Sequence, residues 1–223
     1  MIANQHILTK EQLVESLMLY AVTDRCWLKE GESLAEKVRE ALDGGVSFVQ
    51  LREKDLDRDK IIKEAEEIKK VCAEFDVPFV IDDDVMLAKE LDLDGVHVGQ
   101  KDMEAGKVRE ILGKDKIVGV SCQTVAEAVL AEKEGADYIG VGAVFNTSSK
   151  DDADDVSHDT LEAITKAVSI PVIAIGGINK ENVKELKDRG IAGVAVISAI
   201  FGQNDIWMAT MDLKREVLKM LGR

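Results

Sequence analysis

The stretch Phe48-Val-Gln-Leu-Arg-Glu-Lys54 alternates apolar residues with Gln50, Arg52 and Lys54. Side chains of a strand repeat every two residues, so these three polar groups share one face of what otherwise reads as a buried strand. An Arg grips phosphate oxygens in a bidentate fork, and a Lys adds a compact point charge. Further along, Asp82-Asp-Asp84 and Asp102 offer hard carboxylate oxygens. That donor type suits Mg²⁺, which usually bridges one or two carboxylates to substrate phosphates. No His or Cys cluster competes for a softer metal. Asp83 and Asp102 are the metal candidates, whereas Asp84 reads as the N-cap of a helix opening at Val85. Thr147-Ser-Ser149 and Lys150 supply hydroxyls and a further cation, and Gly176-Gly177 and Ile197-Ser198 supply backbone N–H groups that an anion can approach closely. The set points to one polyanion site.

Nucleophilic catalysis has no comparable support. There is no convincing Ser-His-Asp arrangement and no nucleophile elbow. His97, inside Gly95-Val-His-Val-Gly99, reads as a structural or substrate-lining residue rather than a general base.

These residues need elements to hold them together. Short apolar runs near 18–23, 48–52, 79–82, 95–98, 117–121, 138–143, 171–175 and 193–197 read as strands. Helical patterns near 32–43, 57–75, 84–91, 103–112, 124–135, 157–168 and 179–189 lie between them, with a last helix over 205–221. Runs such as Val172-Ile-Ala-Ile and Val194-Ala-Val-Ile are apolar throughout, as strands covered on both faces should be. Eight such β/α units predict a (β/α)8 TIM barrel in one domain. The reading divides the chain into a helical extension over 1–17, containing an extra helix near 9–16, a barrel core over 18–204 and a C-terminal helix over 205–223. An open doubly wound sheet is disfavoured because no G-x-G-x-x-G follows the first strand. In a barrel, every candidate above falls at the C-terminal end of a strand, where such folds keep their sites.

Composition narrows the partners. Lys and Arg total 29 against 43 Asp and Glu, a net charge of -14. So acidic a chain argues against nonspecific nucleic-acid binding and against anionic membranes, and it requires the cations of an anion site to be local. The 3 cysteines have no C-x-x-C spacing, which reads as a reducing compartment without a zinc site. With neither a signal-like start nor a long apolar run, a cytoplasmic location is expected.

The ordered set of stretches also resembles the thiamine-phosphate synthase family. The resemblance rests on Tyr20-Ala-Val-Thr-Asp24, Val49-Gln-Leu-Arg-Glu-Lys54, Gly95-Val-His-Val-Gly-Gln-Lys-Asp102, Gly119-Val-Ser121, Gly140-Val-Gly, Thr147-Ser-Ser-Lys150, Ala174-Ile-Gly-Gly-Ile178 and Val196-Ile-Ser-Ala-Ile200. It implies condensation of 4-amino-2-methyl-5-hydroxymethylpyrimidine diphosphate with a thiazole phosphate, Mg²⁺ as cofactor, phosphorylated small molecules as partners and, as an option, a homo-oligomer. By the same resemblance Gln50, Arg52, Lys54, Asp82, Ser121 and Lys150 face the pyrimidine diphosphate, with Arg52, Lys54, Ser121 and Lys150 bearing on catalysis. Asp83 and Asp102 would hold the metal, and Thr147, Ser149, Gly177, Ile197 and Ser198 the thiazole phosphate. Many members read Ile-Asn-Asp-Arg where this chain has Ile81-Asp-Asp-Asp84, so Asp82 replaces an amide and Asp84 a cation. Two other readings stay open: a thiazole tautomerase, which has no need of the diphosphate–Mg²⁺ set, and a non-catalytic binding protein of the same pathway.

Overall fold

The computed structural model describes residues 8–54, 56–146 and 155–223. Its parallel strands close into a barrel in the order β1 to β8: Leu19–Val22, Phe48–Leu51, Phe79–Asp82, Gly95–Val98, Ile117–Cys122, Tyr138–Val141, Val172–Ile175 and Gly193–Val196. The seam is β1 against β8, with Tyr20 opposite Ala195. Closure leaves no sheet edge, so every strand is paired on both sides. Helices α1 (Lys10–Ser16), α2 (Leu34–Gly44), α3 (Arg58–Glu74), α4 (Val85–Glu90), α5 (Ala105–Leu112), α6 (Val125–Lys133), α7 (His158–Ala167) and α8 (Ile206–Met220) accompany the strands.

The two strand faces do different work. Outward residues such as Leu19, Ala21, Val49, Leu51, Ile139 and Val141 pack against the helices in the larger core. Inward residues Tyr20, Phe48, Val80, Ile117, Tyr138 and Ile173 form a second core inside the barrel. Helix α1 starts at a capping box, in which Thr9 and Gln12 each bond the other's backbone N–H. Its Leu13, together with Leu17 just beyond it, joins the interior core, so the extra helix plugs the end of the barrel where the strands begin.

Along the inward face of β2, β3, β5 and β6, apolar side chains give way to polar or small ones toward the strand's end. Phe48 is followed two residues later by Gln50, Val80 by Asp82, Ile117 by Gly119 and Ser121, and Tyr138 by Gly140 and Gly142. A period of two therefore stacks an apolar floor under a polar mouth.

The expected helix near 179–189 is a correction. Only a short 3-10 turn, Val183–Leu186, forms there. Asn182 spends its side chain accepting from Asn179 N–H and donating to the Gly177 carbonyl, both at 2.9 Å, and Asp188 takes a left-handed backbone with φ 63°. Side-chain bonds to nearby backbone compete with helical ones. The amphipathic signal was still meaningful, because Val183 and Leu186 are buried. Asp84 caps α4 as expected, accepting from Leu87 N–H at 2.8 Å.

Candidate active site

The strand ends open onto a cavity of ≈ 340 Å³. Arg52 and Lys54 follow β2, Asp82 ends β3, and Asp83 comes next. Asp102 lies beyond β4, Ser121 is on β5, Gly177 follows β7, and Ile197 and Ser198 follow β8. All of these line that cavity. Gln50 does not: it is buried beneath the wall, and its Nε2 donates to Tyr20 Oη at 2.8 Å. Thr147, Ser149 and Lys150 lie outside the described residues. Gln100, Lys101 and Gln123 also line the cavity. The last two had no assigned role in the sequence reading, and Lys101 carried a signal only by standing beside Asp102.

One side of the cavity is cationic and carboxylate-rich. Lys54 Nζ donates to Asp83 Oδ2 at 2.6 Å and lies 3.4 Å from Asp82 Oδ2. Burial pulls the Lys54 ammonium down, but the bond to Asp83 and the charges of Asp82 and Asp83 outweigh it and hold it above its ordinary value. Arg52 Nε is 3.8 Å from Asp82 Oδ2 and is buried without a hydrogen-bond partner. A buried charged donor left unmatched is costly, and here it faces a cavity in which an anion would match it.

Asp83 and Asp102 face one another. Burial raises the Asp102 carboxyl, and its contact with Asp83 raises it further against the pull of Gly99 N–H, which donates at 2.8 Å. Asp83 is held below its ordinary value: burial opposes this, but the bonds from Lys54 and Asp102 prevail. Asp83 sits at φ 61°, in the left-handed region, as Asp76, Asp92 and Asp188 also do; Asp is one of the few non-glycine residues whose short polar side chain allows this. Two opposed carboxylates and no nitrogen or sulfur ligand fit Mg²⁺, which keeps several waters and takes its remaining oxygens from phosphates. Among the described residues no group of three or more His, Cys, Asp or Glu could hold a metal ion.

The other side is built from backbone. Gly176 and Gly177 have φ 99° and 65°, and a Cβ on Gly177 would lie 2.5 Å from the Asn146 carbonyl oxygen. Beyond β8 one helical turn starts at Ile197, whose carbonyl accepts from Ile200 and Phe201 N–H. The first N–H groups of such a turn have no partner within it, the arrangement that helix starts offer to anions.

A carboxyl cluster stands behind the cationic wall. Glu53, four per cent exposed at its side chain, and Glu64 both contact Arg25 of the β1 loop. Glu53 Oε1 and Glu64 Oε2 have no hydrogen-bond partner. Burial, and then the charge of Glu64, push the Glu53 carboxyl from 4.5 up to about 7 against the pull of Arg25. A group whose folded value is raised contributes stability that is complete below its unfolded value and lost as pH rises through the folded one. Stability should therefore fall between about pH 4.5 and 7 on account of Glu53. Urea midpoints at pH 5 and pH 8 check this: Glu53→Gln should narrow the gap between them and exceed the parent protein at pH 8. An unchanged gap would remove the buried-carboxyl explanation.

A closed parallel barrel with a cationic, carboxylate-bearing wall opposite a backbone anion nest is a phosphate-handling (β/α)8-barrel enzyme. Comparison with known proteins agrees and is more specific. The family model for thiamine monophosphate synthase matches residues 19–200. A thiamine-phosphate synthase of Clostridium tetani is 47% identical over 195 residues, 87% of this chain and 93% of that protein. One of Clostridium beijerinckii is 46% identical over 202 residues, covering 91% and 96%. The solved thiamine phosphate pyrophosphorylase of Pyrococcus furiosus superposes with a TM-score of 0.86 at 40% identity, covering 94% of this chain and all of that one. The chain belongs to the thiamine monophosphate synthase family.

Proposed function

We propose that this chain condenses 4-amino-2-methyl-5-hydroxymethylpyrimidine diphosphate with a thiazole phosphate, giving thiamine phosphate and diphosphate. The observation that carries the reading is the pairing of two unlike anion sites in one cavity: Arg52, Lys54, Asp83 and Asp102 on one side, Gly177, Ile197 and Ser198 on the other. A diphosphate ester and a phosphate ester held this way would present their organic ends to each other, so positioning does much of the work.

In the reaction the bond between the pyrimidine methylene and the diphosphate oxygen breaks, and the thiazole nitrogen supplies the electron pair for the new carbon–nitrogen bond. Negative charge collects on the departing diphosphate, and Arg52 and Lys54 are placed to stabilise it there. Mg²⁺ held by Asp83 and Asp102 would supply further neutralisation of the same charge. Among the described residues lining the cavity there is neither a thiol nor an imidazole, in keeping with a path that needs no protein nucleophile. The walls' remaining task is to keep water from the electron-poor methylene, which Ile175, Ile178, Val196 and Ile197 suit.

Purified protein supplied with both substrates and Mg²⁺ should form thiamine phosphate and diphosphate, and chelation should suppress turnover. Tight ligand binding without product would instead make it a binding protein of the pathway. Tautomerisation of the carboxylated thiazole phosphate without coupling would favour a tautomerase.

The Asp82 carboxylate, buried at the mouth of the barrel, sits beside both Arg52 and Lys54 and competes with an incoming diphosphate for them. Asp82→Asn should lower the KM for the pyrimidine diphosphate by about 3- to 10-fold, since one like-charge contact near a surface amounts to roughly a kcal/mol. Steady-state kinetics at fixed Mg²⁺ checks this. Loss of Mg²⁺ dependence in the variant would make Asp82 a participant in metal binding instead.

A further inference from the structure

A chain of hydrogen bonds crosses the barrel interior beneath the cavity. Gln50 Nε2 lies 2.8 Å from Tyr20 Oη, Tyr20 Oη 2.9 Å from Tyr138 Oη, Tyr138 Oη 3.0 Å from His97 Nδ1, and His97 Nε2 2.9 Å from Ser121 Oγ. Tyr20 and Tyr138 are almost wholly buried, and Gln50 and His97 nearly so. Only Ser121, at the far end, reaches the cavity wall.

The donor inventory gives this chain a direction. An amide nitrogen only donates, so Tyr20 Oη accepts from Gln50 and has one hydrogen to pass on, toward Tyr138. Tyr138 accepts it and directs its own single hydrogen at His97 Nδ1. A nitrogen that accepts is unprotonated, so the neutral imidazole carries its hydrogen on Nε2, and the partner of one ring nitrogen sets the state of the other. Nε2–H then donates to Ser121 Oγ, which leaves the serine hydrogen free to turn into the cavity. The opposite tautomer would reverse the last link: Ser121 would donate to the ring and offer only lone pairs to a ligand.

Room for this chain is made by two glycines. A Cβ on Gly119 would lie 2.2 Å from Tyr138 Cζ, and one on Gly140 would lie 3.3 Å from His97 Cε1. Both face inward, in register with the residues of the chain: His97 pairs with Gly119, Gly119 with Tyr138, and Ser121 with Gly140.

We propose that Gln50, Tyr20, Tyr138 and His97 are positioning residues that fix Ser121 as a hydrogen-bond donor toward the ligand. The ligand group that Ser121 meets is then an acceptor, a ring nitrogen of the pyrimidine or an oxygen of the diphosphate, and not its amino group. This rests on the proposed condensation for the ligand's identity, but the tautomer does not depend on it.

The first test therefore uses ligand-free protein. Nitrogen-15 spectra of imidazole-labelled protein, with the His97 signals identified by their absence in His97→Gln, should show hydrogen on Nε2 and none on Nδ1. Hydrogen on Nδ1 with a bare Nε2 would overturn the proposal whether or not the protein turns over. If the tautomer is as stated but no product forms, it is the functional reading that fails. In the second test, Tyr138→Phe should raise the KM for the pyrimidine diphosphate by about 3- to 10-fold, the effect of one hydrogen bond, and leave that for the thiazole phosphate unchanged. In a Ser121→Ala background it should have no further effect; multiplying effects would mean that Tyr138 does not act through Ser121. Two non-reacting probes separate the acceptors. Weaker inhibition of Ser121→Ala by inorganic diphosphate alone points to a phosphate oxygen, and weaker binding of the phosphate-free pyrimidine alcohol points to a ring nitrogen. Unchanged affinity for both would remove Ser121 as a donor.

Discussion

Arg52→Ala is expected to lower kcat/KM for the pyrimidine diphosphate by about 10- to 100-fold, with little change in stability. The magnitude follows from a charge-assisted hydrogen bond, roughly 1.5–3 kcal/mol, made more fully as charge accumulates on the leaving group. Arg52 is mostly buried at the cavity wall, its Nε is unmatched, and its nearest carboxylate, Asp82, is 3.8 Å away. The fold therefore carries the cost of a buried guanidinium Nε that has no hydrogen-bond partner until a ligand supplies one. Removing it should cost little stability and much binding. Arg52→Lys should recover only part of the loss, because an ammonium lacks the planar fork that grips two phosphate oxygens. Steady-state kinetics in both substrates checks the prediction. An unchanged kcat/KM would take Arg52 out of the site, and an equal rise in the thiazole phosphate KM would place it on the wrong substrate.

Gly119→Ala should destabilise the barrel strongly, by about 3–6 kcal/mol. The added Cβ would lie 2.2 Å from Tyr138 Cζ and 2.4 Å from its Oη. The ring cannot swing into solvent, because it packs edge-on against Tyr20 and Phe48 inside the barrel. If it moves, its bonds to Tyr20 and His97 lengthen together, leaving buried polar atoms unmatched. Such a loss is a large fraction of a typical domain's 5–15 kcal/mol, so the variant should be poorly folded at ambient temperature. Gly106→Ala is the control. It lies in α5, where a Cβ would meet nothing closer than 3.9 Å, and should stabilise by up to about 1 kcal/mol. Urea unfolding of the pair decides the matter. A Gly119→Ala loss under about 1 kcal/mol would mean that the interior is looser than its contacts imply.

Legibility differed between the wall and what lies behind it. Arg52, Lys54, Asp83, Asp102, Ser121, Gly177, Ile197 and Ser198 were readable because strand periodicity and the end of each apolar run place a residue at a known depth. Membership of the cavity follows from that depth alone, once parallel strands bring all their C-terminal ends to one mouth. Gln50 obeyed the same periodicity but lies one step deeper, where the side chain meets Tyr20 rather than open space. A depth difference of two residues is 6–7 Å of strand rise, enough to separate a wall from what lies under it.

From the sequence alone came the barrel, its strand order, the cationic and carboxylate residues and the family, because each depends on residue type and on spacing along the chain. Only the tertiary structure decided who meets whom across it. Lys54 seated on Asp83, Asp83 facing Asp102, the buried Glu53–Glu64–Arg25 cluster and the chain from Gln50 to Ser121 all join residues from different strands and loops. Tyr20 and Tyr138 are 118 positions apart, and neither shows in its local sequence that it has a polar partner. Hydrogen bonds and ion pairs act over a few ångströms and are blind to sequence separation, so closure of the barrel, which brings β1, β4, β5 and β6 around one interior, is what creates them.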